Sequence, residues 1–194
     1  MQEKEIIEIF SEINAYQTGH FLLSSGLHSG SYLQCALVLQ DPIIASRLCA
    51  PLAERFKDKA PDLIIGPAMG GVVLAYEIAR HLNARAIFTE RNAEGKMTLR
   101  RGFRAIPANR ILIAEDVLTT GGSVREVISL LAEDGMEPVG IISLVDRSGG
   151  TLDFGGIKYE SLLKLNVPTF RPEECPLCKE GLPLVKPGSR KSAK

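Results

Sequence analysis

The chain lacks any apolar run near the roughly twenty residues that a membrane-crossing helix needs, so no span is expected. It also lacks an excess of either charge. With 23 basic and 23 acidic side chains the formal net charge is zero, which speaks against a nucleic-acid binder working through bulk electrostatics. No G-x-G-x-x-G is present, which removes the dinucleotide fingerprint, and no Lys follows a glycine-rich loop as a P-loop requires. Nothing resembles the nucleophile–base pair of a hydrolase. Cysteine is scarce, at four residues. Cys35 and Cys49 read as small buried hydrophobes. Cys175-Pro-Leu-Cys178 is a CxxC, but a zinc site takes a second pair of ligands and no His follows Cys178. A pair in a Pro-rich tail reads as structural or incidental, a metal shared across a dimer being the alternative. The acidic start Met-Gln-Glu-Lys-Glu leads into an amphipathic helix and is unlike a secretory signal, so a cytoplasmic protein is expected.

What is present suits one globular domain: 194 residues, 45% hydrophobic and 24% charged. Apolar spacing predicts a helix over 2–15, with Ile6, Ile7, Phe10 and Ile13 on one side. Two short strands follow in 19–36. Asp41 reads as an N-cap and Pro42 as the first residue of a helix reaching about Lys57. Strands are expected at 62–65, 85–89, 110–114 and 138–145, helices at 71–82 and 123–134, and a long polar segment at 90–109. Strands alternating with helices imply a doubly wound parallel sheet with helices on both faces, and ligands at the carboxyl ends of its strands. The domain is read as 1–170. From Arg171 onward, with four prolines and a basic end at Lys186 to Lys194, a loosely ordered C-terminal extension is expected.

The richest stretch is 111–123. Ile111 to Ala114 reads as a buried strand, and Val124 to Glu133 as the helix after it. Between them lie two carboxylates, Glu115 and Asp116, and a loop of Val117, Leu118, Thr119, Thr120, Gly121, Gly122 and Ser123. Free backbone N–H groups at a helix N-terminus attract a phosphate, because orphan donors and the helix dipole both favour an anion there. Carboxylates accept hydrogen bonds from vicinal hydroxyls. An acid pair beside a phosphate loop therefore suits a ribose 5-phosphate.

Residues 115–123 resemble the phosphoribosyl diphosphate (PRPP) motif of type I phosphoribosyltransferases, and the chain resembles the orotate-using branch of that family to about Leu165. The resemblance implies transfer of the 5-phosphoribosyl group from PRPP to orotate, giving orotidine 5′-monophosphate and pyrophosphate in de novo pyrimidine (UMP) biosynthesis. It implies Mg²⁺ held mainly by PRPP or pyrophosphate and water, with no protein metal ligand. Residues 115–123 would bind PRPP, with Glu115 and Asp116 on the ribose diol and Thr119 also near orotate. The loop 66–71, containing Met69 and Gly70, would cradle pyrophosphate, Gly70 standing where some relatives carry Lys. Residues 91–104 would form a lid reaching the neighbouring site of a homodimer. Its Arg91 and Lys96 would meet pyrophosphate, although the loop is shorter than in some relatives and lacks their His. Arg147 would pair with the orotate carboxylate. A small hood, mainly 18–36, would cover the base with Tyr32 and Leu33 where relatives carry two aromatics, and Ser24-Ser25-Gly26 lacks the Lys of some relatives. His28 reads as a surface residue. Catalysis is expected of Asp116, Glu115 and Lys96. Two rivals stay open: a phosphoribosyltransferase for another base, and a non-catalytic nucleotide-binding regulator of the same fold.

Overall fold

The computed structural model describes residues 1–23 and 25–187; Ser24 of the hood turn and the basic end 188–194 lie outside the described residues. In chain order the elements are α1 (Glu3–Glu12), β1 (Tyr16–Leu22), β2 (His28–Leu33), α2 (Ala36–Leu39), α3 (Pro42–Glu54), β3 (Leu63–Pro67), α4 (Gly70–Leu82), β4 (Arg85–Arg91) and β5 (Met97–Leu99). They continue with β6 (Ile111–Leu118), α5 (Gly122–Glu133), β7 (Gly140–Asp146), β8 (Tyr159–Lys164), β9 (Thr169–Phe170) and α6 (Pro176–Lys179).

Six strands form one sheet in the order β5-β4-β3-β6-β7-β8. All neighbours are parallel except the edge pair β4–β5. Alternation along the strands divides the core into two. Ile64 and Leu112 join Phe10, Leu48, Leu74 and Ile78 on one face. Ile65 and Ile113 join Val124, Val127 and Leu131 of α5 on the other. Side chains one residue apart in a strand point to opposite faces, so continuous apolar runs such as Ile111 to Ala114 supply both cores. Asp41 caps α3 as its sequence suggests: its Oδ1 accepts from the N–H groups of Ile43 (2.8 Å) and Ile44 (3.2 Å). That helix ends at Glu54, and a 3₁₀ turn over Lys57–Lys59 replaces its expected last turn.

Four differences from the sequence expectations shape the site. The strand expected at 110–114 continues to Leu118, because backbone pairing with β7 carries on through Val117↔Val145 and Leu118↔Asp146 whatever the side chains. The polar segment 90–109 contains β5, which folds back on β4 as a hairpin. β8 closes the sheet beyond β7, a strand that its short sequence Tyr-Glu-Ser-Leu-Leu-Lys does not announce. Finally, the tail is not a loose extension over its described part. β9 adds to the β1–β2 hairpin as a third strand. Further on, the Leu22 N–H donates to Val185 O and the Val185 N–H to His20 O, each at 2.8 Å. The hood is therefore built from both ends of the chain.

Candidate active site

The carboxyl ends of β6 and β7 face two cavities that share Thr119 and Thr120 as a common wall. The smaller, of about 270 Å³, is lined by Glu115, residues 117–123, Arg91 and Glu126. Gly121 sits there at φ +74°, a left-handed conformation that glycine adopts without a Cβ penalty, and α5 starts at the next residue. The first N–H groups of α5 have no intrahelical acceptors, and no side chain caps this end, so the loop offers its donors to a ligand.

The acid pair does not share a face. Glu115 borders the small cavity, whereas Asp116 lies against the backbone of Gly70 on the other side of β6. Adjacent strand residues must diverge in this way. Asp116 Oδ1 accepts from the Val117 N–H at 3.0 Å. Burial, and then the nearby Asp116 charge, raise the Glu115 carboxyl from its ordinary 4.5 to about 8, so Glu115 carries a proton at neutral pH in the ligand-free chain.

Gly70 begins α4, and a Cβ placed on it would collide with the Asp116 carboxyl group. A lysine at this position is thus incompatible with Asp116 where it stands. The 66–71 loop and the 115–123 motif touch directly, through a residue with no side chain. Met69 is exposed beside this contact, and its peptide bond with Ala68 is cis.

The larger cavity, of about 1010 Å³, lies between the hood and the ends of β6 and β7. Tyr32 and Arg147 both line it. Arg147 is half-buried, makes no ion pair among the described residues, and its buried Nε has no hydrogen-bond partner. Desolvation lowers its proton affinity, the direction expected for a cation lacking an anion. Leu33, grouped with Tyr32 from the sequence, is not brought to this cavity. It points the other way along β2 and is buried in the first core.

The lid pair is engaged elsewhere. Arg91 donates to both carboxylate oxygens of Glu126 (2.6 and 2.8 Å), which keeps it at the rim of the small cavity. Lys96 Nζ donates to Glu133 at 2.9 Å, almost two helical turns further along α5, and does not line the small cavity.

Three contributors escaped the sequence reading. Arg125 lines the larger cavity, stacked at 4.9 Å from the Phe154 ring centre. Its signal was available: it stands two residues after Ser123, in the first turn of α5, and helical side chains lean back toward the N-terminus. Lys186 and Pro187 of the tail also line this cavity, which no local pattern announces. His28, read as a surface residue, is buried, and it meets His20, Cys175 and Cys178.

Comparison with known proteins bears on the family and the fold. Residues 38–162 match the Phosphoribosyl transferase domain family. A protein of Caldicellulosiruptor bescii named orotate phosphoribosyltransferase is 54% identical over 191 residues, covering 98% of this chain and all of the relative. One of Thermotoga maritima with the same name is 50% identical over 185 residues, covering 95% of this chain and 98% of the relative. Among solved structures, orotate phosphoribosyltransferase from Aeropyrum pernix superposes with a TM-score of 0.69 at 24% identity, over 82% of this chain and 93% of that one. Adenine phosphoribosyltransferase from Thermoanaerobacter pseudethanolicus does so at 0.60 and 19%, over 70% and 88%; at such identities the likeness is one of fold. With the family match spanning most of the chain and named relatives half-identical from end to end, this chain belongs to the phosphoribosyltransferases, and within them to the orotate phosphoribosyltransferase family.

Proposed function

We propose that the chain transfers the 5-phosphoribosyl group of PRPP to orotate, forming orotidine 5′-monophosphate and pyrophosphate in pyrimidine biosynthesis. The observation that carries the substrate choice is Arg147. A half-buried guanidinium without an anionic partner lines a cavity that shares two threonines with the phosphate loop. Orotate brings a carboxylate that a guanidinium grips bidentately; uracil, adenine and hypoxanthine bring none.

In this reading the loop 117–123 holds the 5′-phosphate, Glu115 accepts from a ribose hydroxyl on the phosphate side of β6, Asp116 accepts from the other on the Gly70 side, and the Met69–Gly70 backbone approaches pyrophosphate. Orotate N1 forms the new bond to ribose C1′ as the bond from C1′ to the pyrophosphate oxygen breaks. Arg147 and Tyr32 position the base, Thr119 borders both substrates, and Leu33, buried in the core, anchors the strand that carries Tyr32. Arg91 and Lys96 take up the charge of pyrophosphate once the lid exchanges Glu126 and Glu133 for it. Such an exchange is inexpensive, because exposed ion pairs are weak. Positioning and preorganised charge do the chemistry, and no general base is required of the protein.

Magnesium takes oxygen donors and retains waters. The carboxylates beside the motif are those of Glu115, Asp116 and Glu126, the last tied to Arg91, too few for an all-protein cage, which fits an ion carried in on substrate oxygens with Glu115 and Asp116 beside it. Bound in that way, it neutralises charge on the departing pyrophosphate.

A homodimer completes the proposal, with the 91–104 lid serving the neighbouring site. Support comes from the exposed apolar row of Met69 (83% exposed), Val73 (46%) and Tyr76 (67%), one helical face beside the pyrophosphate loop. We further place the protein in the cytoplasm with its charged small-molecule substrates, with no nucleic acid or membrane partner and one phosphoribosyltransferase domain over 1–170. No described helix is long and apolar enough to cross a membrane. Purified chain with PRPP, Mg²⁺ and orotate should consume orotate absorbance, while uracil, hypoxanthine and adenine stay unreacted. Turnover of one of those bases instead would replace the orotate reading, and PRPP binding without turnover of any base would favour a regulator.

A further inference from the structure

Two of the three histidines and two of the four cysteines of the chain meet at one point of the hood. His20 lies on β1 and His28 on β2, while Cys175 and Cys178 flank the start of α6, some 150 residues later. One ligand atom from each falls within 4.8 Å of all the others. His20 Nε2 is 2.9 Å from His28 Nδ1, 3.6 Å from Cys175 Sγ and 3.7 Å from Cys178 Sγ. Cys178 Sγ is 3.3 Å from His28 Nδ1. Both histidines and Cys175 are buried, and neither cysteine is in a disulfide.

We propose that these four side chains form a tetrahedral Cys₂His₂ site for a divalent cation of the zinc class, stapling the C-terminal segment to the hood. Bond lengths of about 2.0–2.1 Å to nitrogen and 2.3 Å to sulfur put the ligand atoms of a tetrahedral zinc site about 3.3 Å (N–N) and 3.5 Å (N–S) apart. The four N–N and N–S separations given above agree with these within about half an ångström. The support around the cluster is also that of a metal site. His20 Nδ1 donates to Leu182 O at 2.8 Å, which leaves the Nε2 lone pair directed at the cluster. The CxxC spacing brings both sulfurs to one side of the short α6 turn. Without a cation, two imidazoles and a thiol are buried with chiefly one another as partners, an unfavourable use of polar groups. A cation satisfies all four at once.

Four protein ligands leave no open position, so the site is structural and distinct from the chemistry at 115–123. Its position still bears on that chemistry. His28 rises from β2, the strand that carries Tyr32, and His20 from its partner β1, while Val185, bonded to the His20 backbone, directs Lys186 and Pro187 into the wall of the larger cavity. Metal loading would thereby hold the hood in place over the base.

The test uses the full chain grown with zinc, then desalted for elemental analysis, with chelator-stripped chain titrated with Zn²⁺ or Co²⁺. About one zinc per chain is expected, and cobalt should give a thiolate charge-transfer band with tetrahedral visible bands. Cys178→Ser and His28→Gln should lose metal and bands, while His81→Gln, on α4 away from the cluster, should keep them. In case the cluster variants fail to fold, thiol alkylation of the stripped unmutated chain should slow at least about tenfold when zinc is added. Absence of stoichiometric metal and of tetrahedral bands, alkylation indifferent to zinc, or a Cys175–Cys178 disulfide in the chain as isolated would each overturn the proposal.

Discussion

Glu115 concentrates two opposing demands in one side chain. It borders the phosphate cavity, yet burial and Asp116 hold its carboxyl near 8. Below about 4.5 the folded and unfolded chains both hold this proton; between there and about 8 only the folded chain does. Its contribution to stability is therefore full at low pH and falls as pH rises through that window. Denaturant titrations from pH 5 to 8 should show the wild type losing stability relative to Glu115→Gln, by an amount on the order of 4 kcal/mol across the full shift. Equal slopes would mean that Glu115 is ionised throughout. Binding of Mg²⁺ and PRPP should also release about one proton, readable by calorimetry in buffers of different ionisation enthalpy. For Arg147, loss of a charge-assisted pair worth about 1.5–3 kcal/mol predicts that Arg147→Ala raises the orotate KM roughly 10–100-fold and leaves the PRPP KM nearly unchanged. An equal rise in both would place Arg147 outside the base site. The placement of Glu115, Asp116 and Arg147 at the carboxyl ends of β6 and β7 was legible from the apolar runs before them. The protonation of Glu115 was not, because burial is a tertiary quantity.

Between elements, the decisive contact is α4 against β6. Gly66, near the end of β3, and Gly70, the first residue of α4, serve different ends although only four positions separate them. A Cβ on Gly66 would meet the backbone carbonyl of Gly71, which cannot turn aside, whereas the nearest atoms to one on Gly70 belong to the Asp116 carboxyl group, a side chain that can. Gly66→Ala should therefore lower the melting temperature markedly. Gly70→Ala should leave melting nearly intact and reduce kcat/KM for PRPP by roughly 10–100-fold, as displaced catalytic groups do. A Gly70→Ala enzyme of full activity would remove Asp116 from the site. The helices and the central strands were readable because their apolar periods differ. β5, β8 and β9 were not, since short strands with mixed side chains owe their existence to the neighbour they pair with. The same holds for residues 115–118 of β6, which are strand by virtue of β7.

For the whole molecule, the exposed row of Met69, Val73 and Tyr76 predicts association. Tyr76→Glu should shift the chain from dimer to monomer in light scattering and abolish most turnover, because the lid would lose its neighbouring site. A monomeric variant with full activity would confine the lid to its own chain. The hood is likewise a property of the whole, closed by β9 and Val185 from the far end of the chain. By itself the sequence determined the doubly wound sheet and the family, and it located the strand–loop–helix of 111–133 with its two carboxylates, because each rests on local period or on residues adjacent in the chain. Only the tertiary structure decided that the tail packs on the hood, that Leu33 turns away from the larger cavity, that Arg91 and Lys96 are held by α5, and that His20 and His28 meet Cys175 and Cys178. These are encounters between segments up to some 160 residues apart, and what brings them together is burial of the whole chain, a constraint that no local pattern records.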